Sequence, residues 1–231
     1  MILTPPLAAG AAAPVAISVS PARIALVAPA SRAIEVRNVG SERVVVGITR
    51  TSIDGRGSAT AWLDIRPARL VLRPGSRGVL TLRAGAGRSA GPGDHEARLL
   101  FVARPVASTR VAVRLRLGVG VRVRVPGRIV RRLEVRGVRV RRRTGARILL
   151  IALANAGNVT EQLRGLTVTL ARGGRFLSRL RPRAARELYP GSGTVVALRY
   201  RGGARGIVTA IVRIQRGSRE RRTERRYRIR L

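Results

Sequence analysis

The chain's one imidazole, His95, stands between two carboxylates in the run Asp94-His95-Glu96. Three ligand-type residues in a row would have to converge on one ion to make a metal site. Adjacent residues of an extended chain point to opposite faces, so the trio reads as a polar segment following the Pro92-Gly93 turn. There is no cysteine, which excludes thiol nucleophiles and thiolate metal sites. With no second histidine, the usual nucleophile–base pairs cannot be assembled around imidazole. The carboxylates Asp54, Asp64, Glu134, Glu161 and Glu187 are too scattered to form a catalytic pair. Gly85-Ala86-Gly87 has neither the spacing nor the lysine of a phosphate-binding loop. The residues therefore predict no enzyme, no cofactor and no small-molecule substrate.

What remains is arginine. Of 231 residues, 47 are basic and 11 acidic, for a net charge of +36, and every basic residue is Arg. Replacement of all lysine by arginine reads as the coding bias of a GC-rich genome, but that bias does not explain the excess over Asp and Glu. Between Val111 and Val125 the pattern is strict: Val111, Val113, Leu115, Leu117, Val119, Val121, Val123 and Val125 alternate with Ala112, Arg114, Arg116, Gly118, Gly120, Arg122 and Arg124. Such period-two alternation is a strand with one buried face, with a bend expected near Gly118 and Gly120. With Arg110, the outer residues Arg114, Arg116, Arg122 and Arg124 form a candidate surface for an anionic polymer or a protein partner. The same arginines also fit an ordinary solvated face whose charges discourage edge pairing. Arg136, Arg139, Arg141, Arg142 and Arg143 continue the basic character. Aromatics are 3% of the chain, too few for stacking platforms; the lone Trp62 fits a core position or a sugar-stacking one.

Alternating segments recur along the chain. Strands are expected over Ala16–Val27, Ser31–Val39, Arg43–Ile53, Thr60–Ile65, Arg69–Leu72, Arg77–Arg83 and Asp94–Arg104 before the long one. After Pro126-Gly127 they are expected over Arg132–Arg142, Ala146–Ala154, Leu163–Leu170, Arg175–Leu180, Thr194–Tyr200, Gly206–Arg216 and Arg221–Leu231. Two motifs repeat between the halves. Asn38-Val39-Gly40 and Asn155-Ala156-Gly157 lie 117 residues apart, and Pro74-Gly75-Ser76 and Pro190-Gly191-Ser192 lie 116 apart. Matching offsets suggest one domain plan used twice. Asn and Gly suit a left-handed turn after a core strand, and Pro-Gly suits a tight turn before the next. The fold class is therefore all-β, two tandem immunoglobulin-like β-sandwich domains, over residues 15–126 and 127–231. Residues 1–14 read as a signal-peptide remnant or a disordered start, because Met1 to Ala22 carries no charge and includes the small-residue run Ala8 to Ala13. No segment approaches the ~18 apolar residues of a membrane span, so no membrane anchor is evident.

These motifs resemble two families. Ile34 to Gly40, Trp62-Leu63, Leu72 to Gly75, Pro92 to His95, Val121 to Gly127 and Leu153 to Val159 are similar, in that order, to bacterial cell-surface proteins that pair a WxL-protein peptidoglycan-binding domain with a second Ig-like, host-binding domain. That resemblance implies an exported, wall-associated protein whose partner is cell-wall polymer or a surface protein. Ser20-Pro21-Ala22-Arg23-Ile24 and the long strand resemble the periplasmic pilus-assembly chaperones, also two Ig-like domains. That resemblance implies that Arg23 and a basic residue late in the long strand hold a subunit's C-terminal carboxylate, while the strand itself is donated to the subunit. The aligned position is Val121, with Arg122 one residue off and so on the opposite face. The leading expectation is a non-catalytic cell-envelope protein that binds wall polymer or a surface protein. The alternatives are a pilus-assembly-type chaperone and a non-specific binder of polyanions or nucleic acid.

Overall fold

The computed structural model describes residues 14–53, 59–87, 90–106, 114–163, 165–183, 186–216 and 221–231. Among these residues, all regular structure is strand apart from one turn of 3-10 helix at Thr60–Trp62. The residues group into two compact units, one running to Gly91 and resuming over His95–Pro126, the other comprising Pro92–Asp94 and Gly127–Leu231.

The first unit contains β1 (Ile17–Ser20), β2 (Arg23–Val27), β3 (Ala30–Asn38), β4 (Val44–Thr51), β5 (Leu63–Arg66), β6 (Arg69–Leu72), β7 (Arg77–Ala84), β8 (Gly93–Pro105) and β9 (Leu115–Val125). They form two facing sheets, in the orders β1-β3-β7-β5 and β2-β9-β8-β4-β6. Alternate residues of each strand turn inward. Ile34 and Val36, Leu80 and Leu82, Leu99 and Phe101, and Val119, Val121 and Val123 are all buried in one core, as two packed sheet faces require.

The second unit contains β10 (Leu133–Arg143), β11 (Ala146–Asn155), β12 (Glu161–Gln162), β13 (Gly165–Arg172), β14 (Arg175–Leu180), β15 (Glu187–Leu188), β16 (Gly193–Tyr200), β17 (Ile207–Arg216) and β18 (Arg221–Arg230). Its sheets run β10-β11-β16 and β14-β13-β17-β18, with β12 and β15 paired as a short ladder. Leu149, Ile151, Val168, Leu170, Val212 and Ile214 are at the centre of its core. Both units are immunoglobulin-like β-sandwiches.

Three elements differ from the pattern expected of the sequence. The segment Ala16–Val27 is not one strand. It breaks at Pro21-Ala22, where proline has no N–H to give a ladder, and its halves join different sheets. Thr60–Trp62 is a helical turn, closed by the Trp62 N–H donating to the Ala59 carbonyl at 3.0 Å. β9 passes through Gly118 and Gly120 as one strand with its alternation intact; residues 111–113 of the expected strand lie outside the described residues.

The repeated motifs meet each other in space. Asn38 ends β3 and is fully buried. Its Nδ2 donates to the carbonyls of Glu42 at 2.7 Å and Leu72 at 3.2 Å, and its Oδ1 accepts the Gly40 N–H at 3.0 Å. Its backbone N–H donates to the Ser76 carbonyl and its carbonyl accepts the Gly75 N–H. Asn155 repeats every bond, to Val159, Leu188, Gly157, Ser192 and Gly191. The Pro-Gly pairs form the turns that Asn grips. Gly75 and Gly191 take φ of 72° and 68°, the position of a type II turn that glycine fills without steric cost. Gly157 is not left-handed as expected; it serves as the donor to the asparagine side chain.

Replacing either asparagine by alanine strands two buried carbonyls and one N–H at about 1 kcal/mol or more each. Asn38→Ala and Asn155→Ala should therefore each destabilise their own sandwich by about 2–4 kcal/mol in urea unfolding. A loss under about 0.5 kcal/mol would show that the clamp is dispensable.

Candidate functional site

β9 lies between β8 on one side and β2 on the other. β2 runs parallel to it, Arg23 opposite Gly120 through Val27 opposite Arg124, and the Ala28 N–H extends the ladder to the Arg124 carbonyl at 2.8 Å. Because the break at Pro21 leaves β2 only five residues, it covers less than half of an eleven-residue strand. Among the described residues, Leu115–Val119 has no strand partner on the β2 side. The polar groups of successive strand residues point to alternate sides. Since the Arg124 carbonyl faces β2, Arg116 and Gly118 present their N–H and C=O on the uncovered stretch. An edge of this kind is a template for another strand.

The side chains of this stretch grade along the strand. Val119, Val121 and Val123 are fully buried, whereas Leu115 and Leu117 are half-buried at the margin of the core. Arg114 and Arg116, on the opposite face, are exposed. The five arginines expected to form one basic stripe are thus placed differently from one another. Arg122 and Arg124 are half-buried, and Arg110 lies outside the described residues. Arg122 Nε donates to Glu96 Oε1 at 2.7 Å, its side chain 25% exposed and that of Glu96 only 11%.

The register also corrects the facing of Arg122 relative to Arg23. Arg23 is exposed and sits opposite Gly120, so the even-numbered residues of β9 share its face. Arg122 is on that face. Val121, opposite Ile24, is fully buried, and a charge there would enter the core. The parallel β2–β9 pairing, not visible in sequence, decides this. The one hint was Pro21, which ends the first strand early enough for Arg23 to begin another.

The acidic trio separates by partner. Asp94 accepts the Thr160 N–H at 2.8 Å, Glu96 bonds Arg122, and His95 Nε2 meets the Gly91 carbonyl at 2.8 Å. The His95 ring stands edge-on to Trp62 at 4.7 Å. Trp62 is half-buried against the first core, with its indole over Gly87, where a Cβ would collide with it. Its contacts are intramolecular packing contacts.

No known family matches the chain by sequence profile, and no curated protein matches it by sequence. Solved structures do resemble it. The YadV chaperone aligns over 93% of this chain and 99% of its own at 12% identity, with a TM-score of 0.54. The class 5 fimbriae chaperone CfaA aligns over 91% and 98% at 13% identity, TM-score 0.55. A Salmonella enterica SafA pilin in complex with the SafB chaperone aligns over 91% and 96% at 13% identity, TM-score 0.51. Similarity this distant establishes the two-domain fold. It also corrects the leading expectation. The resemblance to wall-associated, peptidoglycan-binding proteins finds no support, and the reading as a wall-polymer binder is overturned with it, because the similar structures are chaperones. Two of the motifs behind that resemblance, Asn-x-Gly and Pro-Gly, clamp and turn the sandwich itself and say nothing of a ligand. The weaker of the two resemblances is the one these structures match.

Proposed function

We propose that the chain is a cell-envelope chaperone of the pilus-assembly type, which captures a pilin-like subunit by adding the open edge of β9 to the subunit's sheet. One observation carries this reading: Leu115–Val119 extends beyond β2 with no other strand among the described residues on that edge, and two of its leucines are only half-buried. Strand addition draws affinity from main-chain hydrogen bonds and specificity from alternate side chains entering pockets. Arg116 and Gly118 would supply the first, Leu115 and Leu117 the second. Arg23 is the anchor for the subunit's terminal carboxylate, with Arg122 beside it on the same face. Arg122 is held in place by its bond to Glu96. A guanidinium fork matches a carboxylate in two parallel hydrogen bonds. The role is non-catalytic, and the partner is a surface-organelle protein.

The test is co-expression with pilin-fold subunits encoded in the same genome, followed by co-purification. The wild-type chain is expected to retain a subunit. Leu117→Glu places a charge where a subunit pocket would close and should lower recovery by about tenfold or more. Arg23→Ala should lower it similarly, by removing the carboxylate partner. If no pilin-fold subunit is retained, or if both variants retain one as well as wild type does, the reading fails.

A further inference from the structure

The inner face of the three-stranded sheet in the second sandwich ends in charge. Val140, Leu149 and Leu198 are aligned across β10, β11 and β16 and face the core. One row further along the same face stand Arg142, Arg147 and Tyr200. Residues paired directly across a ladder share a face, so two arginines occupy positions that belong to the next core layer. Tyr200 is buried and Arg147 half-buried, while Arg142, at the rim of the row, is exposed. Arg143, from the same hairpin, and Arg201 and Arg205, from the loop after β16, complete a cleft of about 340 Å³.

The loop is held over this cleft by specific contacts. The Ala204 N–H donates to the Tyr200 hydroxyl at 3.3 Å, and Arg172 donates a guanidinium hydrogen bond to the Arg205 carbonyl. Gly202 lies so close to the tyrosine that a Cβ would strike its hydroxyl. Five arginines thus line one concavity, and among the described residues no acidic side chain lines it with them. Among the described residues none of the five has a carboxylate partner. Like charges drawn together on the inner side of a sheet are unfavourable unless an anion joins them.

We infer that this cleft is a binding site for an oligophosphate group. Planar guanidinium forks pair two at a time with phosphate oxygens. Five of them exceed the capacity of one carboxylate and suit a ligand with several anionic oxygens. The group could belong to a soluble oligophosphate or to a phosphorylated lipid headgroup, since the oxygens recognised are the same. The site is in the second sandwich and does not depend on the chaperone reading, which rests on β9.

The test uses the full chain with two probes: inorganic pyrophosphate in calorimetry, and vesicles of phosphatidylcholine with or without phosphatidic acid in sedimentation. Wild type should bind at least one probe saturably. Arg142→Gln/Arg147→Gln should weaken that binding by about tenfold or more, since each lost charge-assisted bond is worth about a factor of ten. Its thermal midpoint without ligand should equal or exceed that of wild type, because the change relieves repulsion, and pyrophosphate should no longer raise it. Arg181→Gln/Arg183→Gln removes equal charge beyond the far end of β14 and should bind as wild type does. Pyrophosphate binding identifies a soluble ligand; binding to phosphatidic acid vesicles alone identifies a lipid. Absence of saturable binding to both probes would overturn the site, as would unchanged affinity in the first variant or an equal loss in the second.

Discussion

Each sandwich is fastened by one buried asparagine. An amide in an apolar interior must satisfy both of its ends, and Asn38 and Asn155 do so by gripping one carbonyl from the following loop and one from the end of a distant strand while accepting an N–H from two residues on. The grip fixes where β3 and β11 stop, and it fixes the Pro-Gly turns that launch β7 and β16. From those two strands the remaining registers follow by pairing, because a one-residue slip would turn every buried valine and leucine outward. Cysteine is absent, so hydrogen bonds of this kind, rather than a disulfide, secure the strand ends.

Within the first sandwich this scaffold leaves one strand incompletely used. The chain pairs with β3, breaks at Pro21, and then crosses to β9 for only five residues. Edge exposure is ordinarily suppressed by charge, proline or a covering segment. Here Arg114 and Arg116 supply charge on one face, while Leu115 and Leu117 keep the other apolar. A strand charged on one face and apolar on the other suits the strand addition proposed above. The second sandwich directs its charge differently, toward the inner row at the end of β10 and β11.

Much of this was legible in the sequence. Alternation marked most of the strands, and the motif offsets suggested a duplicated plan. The partners of those motifs were not legible, because the Asn38 side chain reaches across 34 residues to Leu72 and Asn155 across 33 to Leu188. Arg122 could not be placed without Glu96 on β8 and the parallel β2 register, both set by tertiary pairing. The facing of the β10 arginines was not legible for a local reason. A register shift between Val135 and Gly137 changes the parity of the strand, so Arg139 and Arg141 face outward while Arg142 faces inward with Arg147. A run of like residues carries no alternation from which that facing can be read.

The central claim is that the Leu115–Val119 edge is open in the free chain and closed by a captured subunit. Amide hydrogen exchange at Arg116 and Gly118 measures it directly, with Arg122 and Arg124, which face β2, as the internal reference. Rapid exchange is expected at the first pair in the free chain, strong protection once a pilin-fold subunit is bound, and protection of the second pair in both states. Slow exchange at Arg116 and Gly118 in the free chain, or no gain in protection in the complex, would contradict it.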